Sequence, residues 1–335
     1  MHTTMNDTKT QNAKPPARLH AILARRGAYA VVFRRGPSDK VALIGWDRSN
    51  DTFTLGQWFR GRIYPLRCDL SPSGKYLIYF AAKYGRENPV EKRICEELKK
   101  HFRTTDLWRI DRRLLAQAEE ELRRKKEFQK MEKADDYHDC SWTAISHAPY
   151  LKALSIWWNG TGWNGGGLFE NENDFYLNRP PERIARTIPG VQNRRFKELE
   201  PTQDLVQEFG WGHHGECWMV YGRRLLRDGW REMGDNAFVF EKELPNGWIL
   251  RKECPDDDYS DSHEVYWERH LLLDADHKTL FEGGNWRWAE FDAYRKRLVY
   301  AENGAIYALE LKLPLQPKLL YDFSQMAYQR IPAPY

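Results

Sequence analysis

Short apolar runs recur along the chain, each entered through a polar or glycine-containing turn. Leu70–Tyr79 reads LSPSGKYLIY and Phe291–Tyr300 reads FDAYRKRLVY. Gly212–Tyr221 reads GHHGECWMVY and, like the other two, closes on a pair of apolar residues followed by tyrosine. Looser copies run over Ile145–Trp157 (ISHAPYLKALSIW) and Arg25–Phe33 (RRGAYAVVF). A run that is apolar throughout, bounded by turn residues, fits a strand buried on both faces, where no polar alternation is needed. Tight turns follow several of these runs. VVFRRGPSDKVALIGWD carries Gly36-Pro37, LVYAENGAIYALEL carries Asn303-Gly304, FVFEKELPNGWILRKE carries Asn246-Gly247, and MVYGRRLLRDGWREM carries Asp228-Gly229. Asn-Gly and Asp-Gly supply the positive φ of tight two-residue loops, so each marks a hairpin. Repeated hairpins without helices between them predict a closed or layered all-β architecture rather than βαβ units.

The period changes over residues 88–137. Asn88 stands as an N-cap with Pro89 at the first helical position. Val90, Ile94, Leu98 and Phe102 then form an i, i+4 stripe. Thr104 or Thr105 can cap a second segment, with Leu107, Ile110, Leu114, Ala118 and Leu122 along one face. Glu119–Lys133 is mostly charged with the signs interspersed, as on a solvated helix supported by i, i+4 pairs. The expectation is a tail at residues 1–17 and a β domain over 18–335, with a helical hairpin inserted at 88–137. Such an arm docks a partner, pairs with its own copy or packs back on the body. For docking, the candidate contacts are Leu107, Trp108, Leu114 and Leu122.

LSPSGKYLIYF, Leu70–Phe80, resembles the repeat phrase of β-propellers of the WD40-like and TolB-like kind: an apolar residue, Ser or Asp, Pro, small residues, Gly-Lys, then an apolar strand. Phe291–Leu311 resembles it less closely. The resemblance implies an irregular β-propeller of about five blades, with the helical hairpin as an insertion. No Trp-Asp dipeptide with the usual Gly-His partner occurs, so a regular WD40 array is not implied. A β-sandwich with look-alike hairpins is the alternative.

Composition adds weight to the β reading. The chain has 14 Trp, 17 Tyr and 15 Phe in 335 residues, and aromatic side chains suit half-buried pleated surfaces. The net charge of +4 is small for this length, which points away from a nucleic-acid binder or a membrane-surface protein. The charge is nonetheless uneven: Arg18, Arg25, Arg26, Arg34, Arg35 and Arg60 make the start basic, while Glu253–Asp292 is acidic. Cys68, Cys95, Cys140, Cys217 and Cys254 are far apart with no CxxC, against a disulfide framework or a structural zinc site. The N-terminus is polar with no apolar h-region, and no run approaches the ~18 apolar residues of a span. A cytoplasmic protein, off the membrane, is expected.

WWNGTGWNGGGLF contains Gly160, Gly162 and Gly165 at the dinucleotide-fingerprint spacing. That fingerprint must open a helix, and GGGLFENENDFYLN has no helical period, so no cofactor is expected. The loop is read instead as a glycine-rich rim. Trp158, Trp163 and Asn164 in it, His213 and His214 in GHHGEC, and Trp286 and Trp288 are the candidate ligand or partner contacts, the tryptophans as stacking surfaces for a sugar, a base or a peptide. CPDDDYSDSHE has Asp261 where an EF-hand counted from Asp256 needs glycine, and His213, His214 and Cys217 lack a second ligand pair. No metal site is expected. GxSxG, HExxH, Walker A and kinase signatures are absent, and no carboxylate pair stands out for glycoside hydrolysis. The sequence thus reads as a non-catalytic interaction module or scaffold subunit with a protein partner. The alternative is a carbohydrate- or small-molecule-binding protein or hydrolase using the Trp/Gly/His rim.

Overall fold

The strands follow the apolar runs closely. The computed structural model describes residues 15–36, 39–83, 89–134, 141–159, 165–178, 186–187, 191–200, 218–234, 239–253 and 268–335. Trp163, Asn164, His213, His214 and the acidic run 254–264 lie outside these residues. Within them the chain is mostly β, with five sheets and few helices.

The first sheet is β1 (Arg18–Leu23), β2 (Tyr29–Arg35), β3 (Lys40–Asp47) and β4 (Thr52–Arg60), in that order. The second joins β5 (Arg62–Ile63), β6 (Asp69–Leu70), β7 (Tyr76–Ala82), β8 (Ser141–His147), β9 (Ala153–Trp158) and β12 (Arg186–Thr187), with both β5 and β6 on β7. The third contains β10 (Gly167–Phe169), β11 (Asp174–Leu177) and β13 (Lys197–Glu198), and its β11–β13 pair is parallel. The fourth runs through β14 (Arg231–Glu232), β15 (Val239–Glu243), β16 (Ile249–Glu253), β17 (Arg269–Leu273) and β18 (Thr279–Gly283). The fifth is β19 (Trp286–Asp292), β20 (Arg297–Glu302), β21 (Ala305–Leu309) and β22 (Pro317–Asp322). Four α-helices are described: α1 (Pro89–His101), α2 (Arg112–Arg124), α3 (Lys126–Ala134) and α4 (Trp218–Arg227).

Packing between sheets explains the unalternating runs. In β2, Ala30 and Val32 enter the core shared with the fifth sheet, while Val31 and Phe33 enter the core shared with the second. In β20, Val299 and Ala301 face the first sheet, and Leu298 and Tyr300 face the fourth. Every residue of β7 is buried. A strand covered on both sides needs apolar residues at successive positions. β1 touches β6, β19 and β20; β10 touches β6 and β7; β17 touches β19; and α4 touches both β10 and β14.

Asn303 and Gly304, with φ of 49° and 80°, turn β20 into β21, as the type I′ chemistry of Asn-Gly requires. Two other expectations are corrected. Gly212–Tyr221 does not lead into a strand: Trp218–Arg227 is α4. Val220, Tyr221, Arg224 and Leu225 are buried at helical spacing, a period that the resemblance in the closing Met-Val-Tyr concealed. Asp228-Gly229 is not a hairpin loop but the end of that helix. Gly229 has φ 90°, and its N–H donates to Leu226 O at 3.1 Å while Trp230 N–H donates to Leu225 O at 3.0 Å. This is the Schellman pattern, with glycine in the left-handed position.

Between β7 and β8, α1, α2 and α3 share a core of Val90, Ile94, Leu98, Leu122 and Phe128. A 3-10 turn at Leu107–Arg109 separates α1 from α2. The cap of α2 is Asp111, which accepts from the N–H groups of Arg113 and Leu114, rather than a threonine. Leu114 is 55% exposed, and Leu107 is half-buried against the helical core. After β22 the chain crosses from the fifth sheet to the second. Phe323 is buried, Gln57 Nε2 donates to Ile331 O at 2.8 Å, and Tyr335 Oη donates to Lys152 O at 2.6 Å.

Candidate functional site

One face of α4 carries Tyr221, Arg224 and Arg227, spaced i, i+3, i+6, and all three turn into the body. Arg227 clasps the fully buried Asp69 through Nη1 at 2.6 Å and Nη2 at 3.0 Å. Arg224 Nη1 donates to Pro65 O at 3.1 Å and also to Cys68 O. Its Nη2 lies 3.1 Å from His20 Nε2. Arginine only donates, so His20 Nε2 is the acceptor and the neutral ring carries its proton on Nδ1.

The fourth sheet supplies the other half. Lys252 on β16 stands directly opposite His270 on β17, and both are buried. Lys252 Nζ is 3.1 Å and His270 Nε2 is 3.3 Å from Glu268 Oε2. Lys252 also bonds Tyr221 Oη and sits over the Tyr221 and Trp230 rings, 5.1 and 4.9 Å from their centroids. Burial alone would raise the Glu268 carboxyl, but Lys252 beside it, with His270 and Tyr221 close by, holds it well below the usual carboxylate range. Burial depresses His20, and the neighbouring Arg224 depresses it further. Burial also depresses His270, against the opposing pull of the nearby Glu268 carboxylate. Both imidazoles are therefore neutral at pH 7.

These groups border a cavity of about 60 Å³ whose walls include Arg18, His20, Arg35, Tyr64, Glu268 and Arg287. Arg18 and His20 come from β1, Arg35 from the end of β2, and Tyr64 from the approach to a 3-10 turn at Pro65–Arg67. Arg287 comes from β19. Among the described residues its walls thus carry three arginines and one carboxylate, Glu268, paired with Lys252.

The depressed histidines make stability depend on pH. A histidine whose folded pKa lies below its unfolded value of about 6.5 leaves the unfolded chain to take up the proton first. Stability is full above that value and is lost as pH falls through it toward the folded pKa. His147, depressed by partial burial and by Lys75, acts in the same direction. The thermal midpoint is expected to fall as pH is lowered from about 7 to about 5, and His20→Gln and His270→Gln should each flatten that fall. Parallel pH profiles for the parent and both variants would refute the assignment.

Of the side chains singled out from sequence, Trp158 is half-buried on β9 and meets Trp142 edge-on at 5.7 Å. Trp286 is 2% exposed, stacked on Tyr300 at 4.1 Å and on Phe281 at 5.2 Å. Trp288 is buried in the core between the first and fifth sheets, its ring 6.3 Å from His20. Gly165 leads into β10, not into a helix. Sequence reasoning passed over His20, Lys252, Glu268, His270 and Arg287. The usable signals were a polar residue inside each of several apolar strands and an arginine between two tryptophans. Among the described residues, no cluster of three or more His, Cys, Asp or Glu is arranged to hold a metal ion, and no helix is long and apolar enough to cross a membrane.

No family model matches the chain, and no curated protein matches it. Among solved structures, the β-propeller domain of Cps50 (Swd1) from Myceliophteria thermophila is similar over 93% of this chain and 73% of its own, at 12% sequence identity and a TM-score of 0.19. A likeness that slight carries no argument about fold or function.

Proposed function

We propose that the chain is a propeller-like, non-catalytic interaction module whose helical segment docks a protein partner. Its body is residues 18–335 and its insertion residues 88–137. The observation that carries the reading is the separation of cores. Strands from neighbouring sheets build the cores of the body, whereas α1, α2 and α3 are held together by apolar residues of their own. A segment with its own core is free to serve something other than the stability of the body. Leu114, exposed on the charged α2, lies where a partner would reach it. The ring-like reading is supported by the succession of contacts: first sheet on second, second on third, fourth on fifth, fifth back on first, with α4 between third and fourth.

The test compares the full chain with one in which residues 88–137 are replaced by a short Gly/Ser linker, both used for affinity capture with mass spectrometry. The shortened chain should keep its far-UV spectrum for β structure and lose a stoichiometric partner that the full chain retains. A partner held equally by both chains moves docking onto the sheets. Turnover of a small substrate, abolished by substitution in the cavity, overturns the non-catalytic reading.

A further inference from the structure

We propose that the cavity beside β1 is a binding site for a phosphate monoester group. Arg18 and Arg35 are direct partners across the β1–β2 pair. Direct antiparallel partners share a face with their Cβ atoms about 5 Å apart, and like charges so placed repel. Both line the cavity, and Arg18 is exposed and makes no ion pair among the described residues. A bound anion converts this repulsion into a shared contact.

The third guanidinium is aimed by a fault in the fifth sheet. Trp286 pairs with Glu302 and Trp288 with Ala301, so Arg287 is the extra residue of a β-bulge. In a regular strand Trp286 and Trp288 would share a face. Here they enter different cores, Trp286 with the fourth sheet and Trp288 with the first. The bulge thus takes Arg287 out of the alternation and puts it on the cavity wall, the re-aiming that bulges perform beside binding sites.

Among the described residues Glu268 is the one carboxylate on that wall, and its charge is shared with Lys252. Its Oε2 lies 3.1 Å from Lys252 and 3.3 Å from His270. His20, neutral, adds no charge to the wall. The size also fits: 60 Å³ corresponds to on the order of four to six waters, room for a tetrahedral oxyanion. Three arginines favour phosphate over carboxylate. Each guanidinium presents five donors in a fork, a number that one protein acceptor does not exhaust, and a dianion with three free oxygens uses more of them than a carboxylate does.

The source of the phosphate is either a small phosphomonoester or a phosphorylated residue of a protein, and titration calorimetry at low salt on the full chain separates the two. Inorganic phosphate, phenyl phosphate, a short phosphoserine peptide and its unphosphorylated form are titrated into the parent, into Arg18→Gln and into Arg18→Gln/Arg287→Gln. Phosphate and phenyl phosphate should bind the parent, weakening with added salt, and lose about ten-fold or more in affinity in the double variant. Binding of the phosphopeptide far above phenyl phosphate would identify a protein source, and equal binding a small-molecule source. Arg18 is exposed, so Arg18→Gln keeps the comparison if the double variant fails to fold. Absence of binding by every phosphate compound, or affinities unchanged in the variants, overturns the proposal. None of these outcomes depends on the helical segment docking a partner.

Discussion

Asp292→Ala is expected to lower stability by about 3–5 kcal/mol, among the largest losses of any single substitution in the chain. Asp292 is fully buried and accepts from Arg48 Nη1 at 2.6 Å and from Arg297 Nε at 3.3 Å. Arg48 is also buried and donates to Ala24 O at 2.8 Å and Ala28 O at 3.2 Å, which fixes it in place. Arg297 reaches back to Asp51 in the turn between β3 and β4, at 2.8 Å. The four side chains tie the first sheet to the fifth. Removing the central carboxylate strands a guanidinium that cannot reach water, and such a loss exceeds what the pair itself contributes. Urea unfolding followed by tryptophan fluorescence reads the effect. Arg231→Ala, which removes an ion pair with Glu243 whose members are 71% and 66% exposed, is the control and should change nothing measurable. A loss below about 1 kcal/mol for Asp292→Ala would show that the buried cluster does not hold the two sheets together.

The second large effect belongs to Asp69, just before the Leu70–Tyr79 phrase. Asp69→Ala should cost about 2–4 kcal/mol. The carboxylate is fully buried, is gripped by both Nη atoms of Arg227, and accepts from the N–H of Phe169 at 2.8 Å. It therefore joins the second sheet, the third sheet and α4 at one point. Burial would lower the Arg227 guanidinium, but Asp69 and Asp228 outweigh it and keep the charge in place. Asp228 also accepts from Arg227, at 2.8 Å, and leaves the guanidinium one carboxylate in the variant, so the expected loss is smaller than at Asp292. Arg227→Met made together with Asp69→Ala should recover part of the loss, because two apolar groups replace one stranded ion. A double variant as unstable as the sum of the two single variants would argue against a direct pair.

What the sequence made legible was local. The apolar runs of β2, β7 and β20 and the Asn303-Gly304 turn need only near neighbours to declare themselves. The helix at Trp218–Arg227 was hidden because its short ending matched two true strands, while its buried positions, Val220, Tyr221 and Leu225, follow the other period. The cavity was illegible for a different reason. β1, β2, the Pro65–Arg67 turn, β19 and the residue before β17 each give it only one to three residues. Arg18 and Arg35 were visible as part of a basic N-terminal region, but only the strand register makes them neighbours. Trp-Arg-Trp at 286–288 drew notice to its tryptophans as stacking surfaces. The bulge buries both and turns the arginine between them toward the cavity.

The pairing of the first sheet with the fifth sets an order of events during synthesis. β1 is made before the other strands of these sheets, yet the side chains that cover Leu19 and Ala21 include Trp288, Val299 and Ala301, which emerge only after the second, third and fourth sheets have been translated. Until then the nascent protein carries an apolar sheet face with nothing on it. Contacts so distant in sequence close slowly, and an uncovered strand in a waiting chain invites pairing with the wrong neighbour. The last sheet therefore acts as the completing step of folding. A chain stalled before Trp286 would leave the ribosome as a client for chaperones, with its earlier strands already made but their outer face still open to water.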